Sequence, residues 1–108
     1  MRTLESGSQE EKKILRYLGL AARGRLLVSG EQAVGDTVSR RRAKLVIIAS
    51  DTSENSMKKA VSMCEASGTP YIVMSDKEEL GRTLGKAIRS LAAVTDANIA
   101  DAITKVSG

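Results

Sequence analysis

The chain is 108 residues long, 42% hydrophobic and 28% charged, a size that suits one domain. It holds two Tyr, no Phe, no Trp, no His and one Cys. Those counts exclude a base-stacking aromatic sheet, imidazole acid–base chemistry, a His-bearing metal site, an internal disulfide and a thiolate cluster. The formal net charge of +4 points weakly to a polyanionic partner.

Residues 1–8 read as a short flexible tail without the apolar segment of a signal peptide. A single domain over residues 9–108 follows. Ser8 and Glu11 have capping-box spacing, and Ile14, Leu15, Leu18 and Ala22 continue at helical intervals toward Gly24, a candidate left-handed stop. Leu26–Val28 forms a short strand. Ser29-Gly30 opens a second helix with Val34, Thr37, Val38 and Arg41 on one face. The unbroken apolar run Leu45–Ala49 suits a strand covered on both sides. A third helix begins at Asp51–Ser53, carries Met57, Ala60, Val61 and Cys64 inward, and closes at Gly68. Pro70–Met74 is the next strand. Ser75 and Glu78 cap a short helix bearing Leu80 and Leu84, and Leu91–Val94 is the last strand. Thr95-Asp96 caps a final helix with Ile99, Ala102, Ile103 and Val106 inward. This alternation predicts a three-layer α/β/α sandwich around about four strands. No apolar run approaches the ~20 residues a membrane-spanning helix needs. A cytoplasmic protein with no membrane partner is expected.

The charge is unevenly distributed. Residues 12–44 carry nine bases and two acids, and residues 80–95 carry Arg82, Lys86 and Arg89 with no acid. A phosphate backbone is the natural partner of such a patch, although Arg40-Arg41-Arg42 also suits a solvated helix end. Other motifs point to structure rather than chemistry. Gly81–Lys86 is one residue short of a phosphate loop and lacks its terminal Ser or Thr, so its glycines are expected to serve close packing or a tight turn. Asp51, Asp76 and Asp96 each follow a strand. They could bind a metal if clustered, but each sits where a helix cap is required. Cys64 reads as a small buried hydrophobe and Tyr71 as a packing residue.

Several ordered segments carry a resemblance. Ser29–Val34, Arg42–Asp51, Pro70-Tyr71, Ser75–Gly81 and Gly85 resemble the kink-turn-binding ribosomal protein superfamily of L7Ae/L30e type. Leu18–Arg23 and Ala93–Asp96 are similar to its bacterial YlxQ-like branch. The resemblance covers roughly residues 14–103. It implies a four-stranded mixed sheet between helices. It also implies a non-enzymatic protein, without cofactor or small-molecule substrate, that binds kink-turn-like structured RNA, either ribosomal RNA on the ribosome or a transcript. In that scheme Gly30, Glu31, Gln32, Ala33 and Asp36 face the sheared G·A pairs. Ala87, Ile88, Arg89 and Ser90, before the last strand, cover an extruded base. Outside that scheme, the basic residues Arg40, Arg41 and Lys44 are expected to hold the RNA backbone. Three positions depart from the family pattern: Gln32 replaces Asn or Lys, Ala33 replaces Glu or Gln, and Asp36 replaces Lys. The last two leave open an alternative, a protein–protein adaptor of the same fold. No metal is expected.

Overall fold

The computed structural model describes residues 2–108. Their elements, in chain order, are β1 (Arg2–Thr3), α1 (Gln9–Arg23), β2 (Leu27–Ser29), α2 (Glu31–Ser39), β3 (Leu45–Ile48), α3 (Glu54–Ser67), β4 (Tyr71–Val73), α4 (Lys77–Thr83), β5 (Leu91–Val94) and α5 (Ala97–Ser107). The sheet order is β1-β4-β3-β5-β2. β1, β4 and β3 run parallel, while β5 pairs antiparallel with both β3 and β2. The four expected strands and their mixed sheet are present.

Alternation along β3 divides the core. Leu45 and Ile47 face a layer built from Ile14 and Leu18 of α1, Leu80 of α4 and Ile103 of α5. Val46 and Ile48 face Val34 and Val38 of α2 with Ala60 and Cys64 of α3. All four residues of β3 are buried, as are all four of β5, which is why neither strand shows a polar face in the sequence.

The N-terminal segment departs from expectation. Instead of trailing freely, Thr3 pairs with Val73, and the N–H of Leu4 donates to the Val73 carbonyl at 3.0 Å. Leu4 is 6% exposed and belongs to the same core layer as Ile14 and Ile72. Behind it, the buried Glu11 carboxylate accepts from the N–H of Gly7 and, across the fold, from that of Ser75, both at 2.9 Å. One Leu among polar residues has no periodicity to announce a strand, so the sequence concealed this anchor.

Side-chain caps open four of the five helices. Ser8, Ser53, Asp76 and Asp96 accept from the N–H of Glu11, Ser56, Glu79 and Ile99. The α4 cap falls one residue beyond the Ser75 predicted. Ser75 instead adopts φ 61° and aims its N–H at Glu11. Four helices end in the paired 6→1 and 5→2 bonds of a Schellman turn. Gly68 and Gly85 supply the left-handed residue after α3 and α4, at φ 70° and 72°. After α1 and α2, that residue is an arginine: Arg25 at φ 60° and Arg41 at φ 58°. Gly24, the expected stop of α1, stays at φ −85° and leaves the reversal to Arg25.

Because β5 alone runs backwards, the segment leading into it lies at the same end of the sheet as the exits from β2, β3 and β4. Residues 29–30, 49–53, 74–76 and 87–90 share that end. Residues 24–26, 40–44, 68–70 and 95–96 share the other.

Candidate functional site

At the first end the start of α2 meets the segment before β5. Gly30 sits at φ 99°, a conformation other residues adopt only under strain, and its N–H donates to the Leu91 carbonyl at 3.0 Å. No side chain caps α2, so its first-turn N–H groups have no side-chain acceptor, and Glu31, Gln32 and Ala33 beside them are exposed. Asp36 lies exposed one turn further on.

Arg89 joins the two elements. Its Nε donates to Ser29 Oγ at 3.1 Å, its Nη1 to the Ile88 carbonyl at 2.9 Å, and its backbone N–H to the Lys77 carbonyl at 3.1 Å. The Ser90 carbonyl accepts from the Ala49 N–H at 2.8 Å. Between these fixed points Ala87 is exposed and Ile88 is 61% exposed, an apolar side chain held out in solvent by a pinned backbone. Gly81 lets the segment close on α4: a Cβ there would lie 1.9 Å from the Ala87 carbonyl oxygen. The expectation that Gly81 and Gly85 serve close packing and a turn holds at both positions.

Gly30, Glu31, Gln32 and Ala33 therefore adjoin Ala87, Ile88, Arg89 and Ser90 at one end of the molecule. Arg40, Arg41 and Lys44 do not join them. They lie beyond the far end of α2, whose nine residues span ~13 Å. Sequence reasoning missed Ser29, which tethers the Arg89 guanidinium, and the Lys77 carbonyl. It also missed Lys59, which with Glu31, Met63 and Leu91 lines a groove of about 190 Å3 beside the helix start. A hydroxyl next to a helix-opening glycine carries no sequence signal of its own.

The three acids do not converge. Asp51 Oδ1 accepts from the Lys77 N–H at 2.9 Å, bridging to α4 instead of capping its own helix. Asp76 and Asp96 are caps, and the reversal of β5 places Asp96 at the opposite end. Among the described residues no group of three or more His, Cys, Asp or Glu is arranged to hold a metal. Cys64 is buried, and burial, followed by the Glu65 charge, pushes its thiol up to about 11. That places it far from a reactive thiolate.

Comparison with known proteins bears on this geometry. The Ribosomal protein L7Ae/L30e/S12e/Gadd45 family matches residues 12–104. The chain belongs to that family. It is 42% identical to the RNA-binding protein YlxQ of Bacillus subtilis (strain 168) over 84 residues, covering 78% of this chain and 84% of that protein. It is 32% identical over 73 residues to the large ribosomal subunit protein eL8A of Candida albicans, of which it spans 28%. Among solved structures, a protein of unknown function from Bacillus halodurans C superposes with TM-score 0.83 at 35% identity, covering 87% of this chain and 95% of that one. The Giardia lamblia 15.5kD RNA binding protein shares the fold at TM-score 0.80 and 22% identity, over 94% of this chain and 90% of that one. No helix among the described residues is long and apolar enough to cross a membrane.

Proposed function

We propose that this protein is a non-enzymatic RNA-binding protein that grips a sharply bent, kink-turn-like RNA between the start of α2 and residues 87–90. The observation that carries the reading is the 3.1 Å bond from Arg89 to Ser29, which fuses two separate elements into one surface. Family membership and the RNA-binding YlxQ relative support it.

The chemistry is consistent with such a target. Regular A-form RNA hides its base edges in a deep groove, so proteins read bends, bulges and unstacked bases. The uncapped first turn of α2 offers N–H donors to phosphate or base acceptors, and Gln32 adds an amide. Ile88 packs on an extruded base, while Arg89 holds the segment and presents charge to a phosphate. Asp36 opposes that contact. One missing charge-assisted bond weakens binding by about 1.5–3 kcal/mol, tenfold or more in Kd.

Gel-shift titration of a kink-turn RNA against a straight duplex of equal length tests the proposal. The expected result is tighter binding of the kink-turn, reduced by Gln32→Ala and abolished by Arg89→Glu. Equal or absent binding to both RNAs refutes it. Partners that survive ribonuclease in a pulldown would instead favour the adaptor reading.

A further inference from the structure

The other end of the sheet carries its own cationic surface. Arg23, Arg25, Arg41, Arg42 and Lys44 are all exposed there, and none takes part in an ion pair among the described residues. The acids at that end are Asp36, in the last turn of α2, Glu65, near the close of α3, and Asp96, whose carboxylate caps α5. β5 gathers the cations: the Lys44 N–H donates to the Val94 carbonyl at 2.8 Å, and the Thr95 N–H donates to the Leu26 carbonyl at 2.9 Å. The chain entering β2 and the chain entering β3 thus flank one strand end, about two strand spacings or ~10 Å apart.

The backbone gives a second, independent observation. Arg25 and Arg41 each occupy the left-handed position of a Schellman turn, where a residue with a Cβ is strained and glycine is not. This chain places glycine at the equivalent positions after α3 and α4. At the two turns flanking this surface it keeps arginine at an energetic cost. A merely structural turn gains nothing from the guanidinium.

We propose that this surface is a second RNA-backbone contact, centred on Arg25 and Arg41, which engages the phosphates of a duplex arm away from the α2 start. It deepens the RNA-binding reading and rests on it, but it makes no use of Gln32 or residues 87–90.

The test is the double variant Arg25→Gly/Arg41→Gly. Glycine relieves both strained positions, so its thermal midpoint should equal or exceed that of the native chain, and loss of fold cannot explain a binding defect. Binding is measured to a straight RNA duplex and to a kink-turn RNA, with Arg89→Glu in parallel. Loss of two phosphate contacts weakens duplex binding about 60-fold at 0.1 M salt and flattens the log–log salt slope by ~1.8. The double variant should lose duplex binding and keep its ratio of kink-turn to duplex affinity. Arg89→Glu should do the reverse. If the native chain shows no kink-turn preference, the earlier reading fails while the duplex measurement still decides this one. Unchanged duplex affinity in the double variant overturns the proposal. So does equal loss in Arg89→Glu, or displacement of the duplex by polyglutamate at equal charge concentration, which would assign the surface to an acidic protein.

Discussion

Gly81→Ala is the sharpest single perturbation of the site. The added Cβ would stand 1.9 Å from the Ala87 carbonyl oxygen, 2.7 Å from its carbon and 3.1 Å from Ile88 Cα. Real Cβ atoms essentially never approach closer than 3.0 Å, so the 87–90 backbone must retreat by about 1 Å or more. All three atoms are backbone, and none is the end of a flexible side chain. Overpacking of this kind costs about 1–3 kcal/mol, set against roughly 1 kcal/mol of helix propensity gained on replacing glycine. A net loss of up to about 2 kcal/mol lowers the midpoint of a domain this size by ~8–16 °C. Binding should suffer beyond that, because a retreat of this size breaks the 3.1 Å bond from Arg89 to Ser29 that holds the segment against α2. The control is Gly35→Ala, within α2, where nothing lies within 4 Å of the new Cβ and a gain of about 0.5–1 kcal/mol is expected. Urea titration and gel shift on both variants provide the readout. A Gly81→Ala protein as stable as the native chain, with native kink-turn affinity, refutes the claim that this glycine positions the segment.

Further outcomes follow from the same contacts. Asp36→Lys replaces a repulsive charge on an exposed helix face, and should tighten RNA binding tenfold or more and steepen the salt slope by ~1 in a filter-binding series. Glu11→Ala removes the acceptor for two backbone N–H groups and leaves that of Ser75 buried. A loss of about 2–4 kcal/mol is expected by chemical denaturation, with the Leu4 segment exchanging its amide hydrogens faster. Cys64 makes stability fall in alkali. Its thiol is raised in the folded protein from 9.0 to about 11, so the unfolded chain ionises first and stability present below pH 9 is lost as pH climbs toward 11. Linkage gives a loss of about 1.4 kcal/mol at pH 10, which Cys64→Ala should remove from the difference between urea titrations at pH 8 and pH 10. Tyr71, whose hydroxyl is raised chiefly by burial and then by Glu65, shifts the residual slope in the same direction.

The sequence disclosed what periodicity and capping chemistry govern. Leu45–Ala49 reads as a doubly buried strand because no residue in it is polar, Ser8 announces its helix by capping-box spacing, and Ser53 and Asp96 fall within the polar stretches expected to open theirs. It hid what depends on distant partners. Leu4 gives no strand pattern, yet its N–H is held by the Val73 carbonyl, and Ser29 becomes part of the site only because Arg89 arrives from 60 residues away. Counting Arg40, Arg41 and Lys44 with Gln32 treated basic charge as one patch. A nine-residue helix separates them, and helix length is a distance that a run of charge in sequence does not convey.

The site itself follows from one reversal of chain direction. A strand, a helix and a further strand ordinarily make a parallel pair, because the helix carries the chain back to the starting end. Here β4 leaves toward the site, α4 descends for only seven residues, ~10 Å, and residues 84–90 climb back, so that the Arg89 N–H reaches the Lys77 carbonyl at the point where α4 began. β5 must then run antiparallel to β3, which delivers Ile88 and Arg89 beside Gly30. Gly85, at φ 72°, makes the turn, and Gly81 lets the returning segment lie against the helix it has just left. Had α4 been long enough to reach the other end before β5, the same residues would have emerged beside Arg25 and Lys44. The candidate surface is therefore set as much by these two glycines, which touch no ligand in the proposed complex, as by the side chains that would.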